Sequence, residues 1–352
     1  MLLSTFGWTA FFEQRSTALR EQGLEFGRVS WLSRGVYNLY TERDQRLARL
    51  SGRFYHHATL ASELPAVGDW VAFRERHNAC IIQAVLPRHS KFSRKVPGLT
   101  TEEQLLAANV DKAFLVTALD NDYNLRRIER YLAIAWESGA QPIVILNKAD
   151  LCADVATRVA EAQRVTIGAP VYSISSLTGE GLLQLEREIA PAQTVAMLGS
   201  SGVGKTTLIN RLLGKDAFAT HPVRVGDDRG HHTTTARSLI LLPSGALVMD
   251  TPGLRELQIW ENDEGLERTF DEIETFAAQC AFSDCAHVTE PRCAVRAAVE
   301  QGRLSAARLE NFRKLQRELS YLERRQDVSA QLAAKRRWRS INKAMRNFDK
   351  RG

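Results

Sequence analysis

Gly199-Ser200-Ser201-Gly202-Val203-Gly204-Lys205-Thr206 is the stretch that decides the fold class of this 352-residue chain. It fits GxxxxGK[ST], follows the apolar run Thr194–Leu198 and opens a helical pattern over Lys205–Leu213. Between a strand and a helix, such glycines let backbone NH groups close around a phosphate at the helix N-terminus, where the dipole favours negative charge. Lys205 is then placed to reach the β- and γ-phosphates and to take part in catalysis. The Thr206 hydroxyl is placed to hold Mg²⁺, and Thr207 beside it completes the binding stretch.

Upstream lies Asn147-Lys148-Ala149-Asp150, at the end of the apolar run Pro142–Leu146. Guanine presents a ring NH and an exocyclic amino group side by side, which one carboxylate accepts together, and adenine does not. Asp150 is therefore the expected base-reading residue, within a GTP-binding set that includes Asn147, Lys148 and Ala149. Ser175-Ser176-Leu177 follows the run Val171–Ile174, where a second base-contacting loop belongs, and a plain serine-rich turn reads nearly as well. Downstream, Asp250-Thr251-Pro252-Gly253 predicts a water-mediated Mg²⁺ ligand in Asp250 and a γ-phosphate contact at the Gly253 NH.

These motifs stand in an unusual order. An ordinary GTPase opens with the phosphate loop and closes with Asn-Lys-x-Asp, so this chain implies a circularly permuted domain. The segment sensing the γ-phosphate would then run straight into the C-terminal region. Between Lys205 and Asp250, the polar stretch Gly226–Thr235 should supply Thr234 as a further Mg²⁺ ligand. Leu254 occupies the place where many GTPases carry a glutamine to orient the attacking water. Leucine cannot do this, so intrinsic hydrolysis should be slow and another group must act. His232 is preferred over His231, and a solvated loop histidine is the alternative.

Ahead of these motifs, Phe26–Trp31, Val36–Tyr40, Gly68–Phe73 and Ala79–Val85 read as short strands punctuated by Gly, Pro and Ser. They suit a small OB-like barrel that binds nucleic acid or simply packs on its neighbour. Arg88–Lys95 reads as a basic linker, suited to a phosphate backbone or to solvent. From Val110, apolar runs alternate with amphipathic helices, the pattern of a parallel sheet. The expected architecture is multidomain: an N-terminal extension and OB-fold barrel over 1–98, a permuted α/β P-loop GTPase domain over 99–260, a helical zinc-binding domain over 261–330, and a basic tail over 331–352.

A formal net charge of +6 suits a polyanionic partner. No stretch approaches the roughly 18 apolar residues of a membrane span, so a cytoplasmic protein without membrane contact is expected. Five cysteines in so long a chain do not make a disulfide framework. Cys280, Cys285, His287 and Cys293 instead supply three thiolates and an imidazole within fourteen residues, a set suited to one structural tetrahedral Zn²⁺. From Lys335 to Arg351, eight basic residues face a single acid and are interleaved with Trp338 and Phe348. That composition fits RNA binding and a solvated end alike.

Together, the barrel, the permuted motifs, Gly230–Thr235, Asp250–Gly253 and the Cys/His cluster resemble the ribosome small subunit-dependent GTPase A family, RsgA or YjeQ. The resemblance covers nearly the whole chain. It departs from the family pattern at the extra His231. The resemblance implies GTP and GDP as ligands, hydrolysis stimulated by the small (30S) ribosomal subunit, and binding to 16S ribosomal RNA late in subunit maturation; a monomer is expected. A GTP-regulated RNA-binding translation regulator is the alternative.

Overall fold

The computed structural model describes residues 2–58, 60–76, 79–95, 103–215, 238–250 and 264–321. Helix α1 (Ala10–Glu21) precedes five strands, β1 (Glu25–Ser33), β2 (Val36–Tyr40), β3 (Gln45–Leu50), β4 (Trp70–Arg76) and β5 (Ala79–Val85), with the short helix α2 (Gly52–His57) after β3. The strands pair in the order β1-β2-β3-β5-β4, and β4 returns to β1. β3 and β5 run parallel. This closed five-stranded arrangement is an OB-like barrel. Its interior holds Phe26, Val29, Leu39, Trp70, Phe73 and Ile82, and Trp8 from the N-terminal segment packs edge-on against Trp70. β3 escapes the sequence pattern because Ala48 is its buried side chain while Leu47 is 62% exposed.

The stretch read as a basic linker is not one. Lys91–Lys95 forms β6, paired antiparallel with β7 (Glu103–Ala108). Arg88 makes two 2.8 Å hydrogen bonds to the fully buried carboxylate of Asp69. A buried carboxylate needs a partner, and that need outweighs solvation of the arginine.

The nucleotide motifs lie on a second array of strands. In chain order these are β8 (Lys112–Ala118), α3 (Leu125–Ser138), β9 (Gln141–Asn147), α4 (Val155–Val165), β10 (Val171–Ser173), α5 (Leu182–Arg187), β11 (Thr194–Leu198), α6 (Lys205–Leu213), β12 (Ser238–Leu241) and β13 (Leu247–Asp250). The spatial order is β10-β9-β8-β11-β13-β12, parallel except for β12. Residues such as Phe114, Val116, Ile143, Ile145, Val195 and Val248 are buried on these strands, as a sheet covered on both faces requires.

Two contacts weld barrel to sheet. β12 pairs with β1 at Trp31 and Ser238, and the Tyr40 hydroxyl donates to the Leu239 carbonyl at 3.0 Å. Arg28 is buried and donates to the carbonyls of Phe6, Gly68 and Asn109, joining the N-terminal segment, the barrel and the entry to β8. Burial lowers the Arg28 pKa to about 10, against the raising influence of Asp111 and Asp69.

The C-terminal part comprises α7 (Glu264–Thr269), α8 (Asp271–Ala277), α9 (Ala294–Glu300) and a helix over 306–321, here α10. It docks on α3. A Cβ at Gly265 would stand 2.2 Å from the Ala133 carbonyl, so glycine permits the helices to approach this closely. Arg308 is buried against Glu129 at 2.7 Å, also pairs with Glu272, and donates to the Thr269 carbonyl at 2.7 Å. Among the described residues no helix is long and apolar enough to cross a membrane.

Candidate nucleotide site and metal cluster

The phosphate loop leaves the C-terminal end of β11 and enters α6 at Lys205, so its amides gather at a helix N-terminus beside the buried strands. Gly204 adopts φ +97°, and a Cβ there would sit 2.2 Å from Asn147 Nδ2. Only glycine allows the loop to lie this close to the base-reading motif. Lys205 Nζ donates to the carbonyls of Gly199 at 2.7 Å and Ser200 at 2.5 Å. Thr206 and Thr207 follow in the first turn of α6, half-buried.

Asn147 joins three of the predicted segments. It ends β9, is 1% exposed, and donates through Nδ2 to the Val203 carbonyl at 2.7 Å. Its Oδ1 accepts from the Ser176 amide at 3.0 Å and the Ser176 hydroxyl at 2.9 Å. Ser175 is fully buried and its hydroxyl accepts from the Thr178 amide, which shapes the turn. Ala149 donates to the Ile174 carbonyl at 3.0 Å, holding the motif against the same turn, and Asp150 remains exposed. An exposed carboxylate beside a buried scaffold suits recognition of a ligand's donors.

Lys148 takes a left-handed φ of 62° and pairs with Asp120 at 2.8 Å. Burial raises the Asp120 pKa, but the hydrogen bonds from Lys148 and the Asp122 amide outweigh it and hold the carboxyl below its usual range. Arg127, in the first turn of α3, donates to the Ser200 hydroxyl at 2.6 Å and pairs with Asp122. Sequence reading missed both Asp120 and Arg127. Neither belongs to a nucleotide motif; their position at the C-terminal end of β8 and the start of α3 was the available signal.

Several predicted residues lie outside the described residues: His231, His232, Thr234, Gly253 and Leu254, the stretch Gly226–Thr235 and the basic tail. Asp250 ends β13 in the strand next to β11, and only its backbone is described. The predicted magnesium ligands are therefore described in part, through Thr206 and the place of Asp250 in the sheet.

The four metal-ligand candidates do come together. Ligand atoms of Cys280, Cys285, His287 and Cys293 lie within 4.8 Å of one another. Cys280 Sγ is 3.9 Å from Cys293 Sγ and 3.7 Å from His287 Nδ1, and Cys293 Sγ is 3.5 Å from that nitrogen. Tetrahedral zinc with Zn–S bonds near 2.3 Å sets its ligands about 3.8 Å apart, so the donor set and spacing fit such an ion. Glu290 braces the loop by accepting from the amides of Ala286, Val288 and Thr289. Within the cluster, burial and the neighbouring thiols push Cys285 up to about 11, and burial with Arg313 nearby lowers His287. A divalent cation would take thiolates and a neutral imidazole and so override the first shift.

The fold and site define a P-loop GTPase that is circularly permuted: the base-reading motif on β9 precedes the phosphate loop in the chain, yet both meet at one end of a single sheet. A family model described as RsgA GTPase matches residues 85–260, and one described as 50S ribosome-binding GTPase matches 194–329, beginning at the strand before the phosphate loop. The chain is 46% identical to the small ribosomal subunit biogenesis GTPase RsgA of Opitutus terrae, covering 98% of itself and 97% of that protein. It is 47% identical to the small ribosomal subunit biogenesis GTPase RsgA 2 of Lactiplantibacillus plantarum, covering 86% and 85%. The chain belongs to the RsgA GTPase family, and its activity is that of a GTP hydrolase. Among solved structures, YjeQ from Thermotoga maritima superposes with a TM-score of 0.64 at 27% identity, covering 84% of this chain and 98% of that one. YloQ, described as a circularly permuted GTPase, gives 0.60 at 24%, covering 86% and 96%, and bears on the fold alone.

Proposed function

We propose that this GTPase assists late maturation of the small ribosomal subunit, hydrolysing GTP to GDP and phosphate when the subunit stimulates it. The observation that carries the nucleotide part is the Asn147 side chain, which ties Val203 of the phosphate loop to Ser176 of the base loop. That single residue sets the distance between the phosphate and base ends of a bound nucleotide. Asp150 reads guanine, and the amides from Gly199 to Thr207 with Lys205 hold the phosphates. Thr206, Thr234 and Asp250 hold Mg²⁺, which offsets charge on the β- and γ-oxygens when bound. His232 orients water in place of the side chain that Leu254 lacks.

The same reading divides the chain into the barrel (1–98), the permuted domain (99–260), the zinc domain (261–330) and the tail (331–352). Cys280, Cys285, His287 and Cys293 hold one structural Zn²⁺. The barrel and tail bind 16S ribosomal RNA, and the protein works as a cytoplasmic monomer. Family membership and the names of the relatives support the ribosomal part. Measuring GTP turnover with and without purified small subunits tests it: turnover should rise with the subunit and saturate. Turnover indifferent to the subunit would overturn the assignment and favour a translation regulator outside assembly.

A further inference from the structure

Helix α3 is held from two sides by groups that belong to different functions. Its start is wired to both nucleotide motifs. Lys148 pairs with Asp120 Oδ2 at 2.8 Å, and Asp120 Oδ1 accepts from the Asp122 amide at 2.8 Å. Asp122 pairs with Arg127, and Arg127 reaches the Ser200 hydroxyl at 2.6 Å. The side chain of Asn124 caps the helix by accepting from the Arg127 amide at 3.2 Å, fixing the turn from which Arg127 projects.

The adjoining face of the same helix carries the C-terminal domain. Glu129 receives Arg308 at 2.7 Å and also Asn311, and Arg130 binds Glu318 through two hydrogen bonds of 2.8 and 2.6 Å. A helix rotates about 100° per residue, so Arg127 and the pair Glu129–Arg130 point to different neighbours while moving as one rigid body. A contact path therefore runs from Ser200 of the phosphate loop through Arg127 and α3 to Arg308, Asn311 and Glu318 of α10 without using the residues after Asp250.

We propose that Arg127 is a positioning residue for GTP hydrolysis and the contact through which the phosphate loop signals, along α3, to the metal-cluster domain. It holds the loop by the Ser200 hydroxyl, and it shares a helix with the domain's anchors. This rests on the phosphate-loop assignment above. Saturable GDP binding by the unaltered protein reports on that assignment separately.

The test compares Arg127→Ala, Arg127→Lys, Ser200→Ala and the double variant Arg127→Ala/Ser200→Ala in the full-length protein. A charge-assisted hydrogen bond is worth enough to lower single-turnover GTP hydrolysis about tenfold in Arg127→Ala, while GDP affinity changes by less than about threefold. Arg127→Lys should recover part of the rate. The double variant should be no slower than the worse single one if the Arg127–Ser200 bond they share is the contact that matters, rather than the separate contacts of Arg127 with Asp122 and of Ser200 with Tyr131. Hydrogen exchange over 306–321 should differ between GDP and a non-hydrolysable GTP analogue in the unaltered protein, and that difference should vanish in Arg127→Ala. A purely structural arginine would lower thermal stability yet leave the nucleotide-dependent difference in place. An unchanged rate, multiplying losses in the double variant, or a persisting exchange difference would each overturn the proposal.

Discussion

The nucleotide site and the metal cluster are both built from loops, but their loops are held in place by opposite means. At the nucleotide site the Asn147 motif and the phosphate loop leave buried strands, Leu146 and Leu198 being fully buried and Asn147 nearly so, and the third loop buries Ser175 just past the half-buried β10. At the cluster, His287 and Cys293 are the only buried residues from 281 to 293, while Phe282 and Val288 are 48% and 54% exposed. One site inherits its shape from a hydrophobic core, whereas the other is braced by Glu290 and would gain its remaining order from the proposed zinc ion. The described part of the first should therefore keep its shape without a ligand, and the second should depend on its ion.

Removing the metal should break this comparison most visibly. Structural zinc contributes on the order of 10 kcal/mol or more to small zinc-dependent folds. Chelation or Cys285→Ser should therefore abolish amide protection over 280–300, while GDP affinity stays within about threefold. Equal protection with and without metal would show that the loop has a scaffold of its own. Next comes the junction between the two regions. Glu129→Ala leaves Arg308 buried with only Glu272 to pair with, which should cost about 3 kcal/mol, the low end for a broken buried pair. Denaturant unfolding should show that loss as earlier release of 264–321.

Asp150→Asn sharpens the nucleotide side. Replacing the acceptor of two guanine donors should weaken GTP roughly 100-fold and improve binding of xanthosine triphosphate, read by titration. Unchanged GTP affinity would remove Asp150 from base recognition. The smallest effect concerns pH. Asp120 titrates below the ordinary carboxylate range, so its stabilising contribution is complete above about pH 4 and is lost as pH falls through the folded value. Asp120→Asn should flatten the acid limb of the stability curve slightly, and an unaltered limb would show that Lys148 does not depend on this pairing.

Much of this was legible beforehand because the signals were local. Helices Leu125–Ser138 and Lys205–Leu213 and strand Thr194–Leu198 follow from periodicity and flanking glycines, and the gathering of Cys280, Cys285, His287 and Cys293 follows from their spacing within fourteen residues. What was not legible depended on distant partners. β3 hid because its burial runs against its hydrophobicity, with Ala48 inside and Leu47 outside. Arg88 read as a linker cation because nothing nearby in sequence reveals buried Asp69, nineteen residues earlier. Arg127 and Asp120 carried no motif at all.

Short stretches of sequence carried the chemistry: a phosphate loop, an Asn-Lys-x-Asp motif, a set of three cysteines and a histidine, and an order of motifs that only a permuted domain can close. Those follow from short-range rules of spacing and side-chain chemistry. Tertiary structure alone decided how the parts are joined. It set β12 against β1, caged Arg28 among three carbonyls, and gave α3 to the phosphate loop on one face and to Arg308 and Glu318 on the next. Such joints pair residues from 22 to 207 positions apart through burial and charge, and no local pattern encodes partners at such separations.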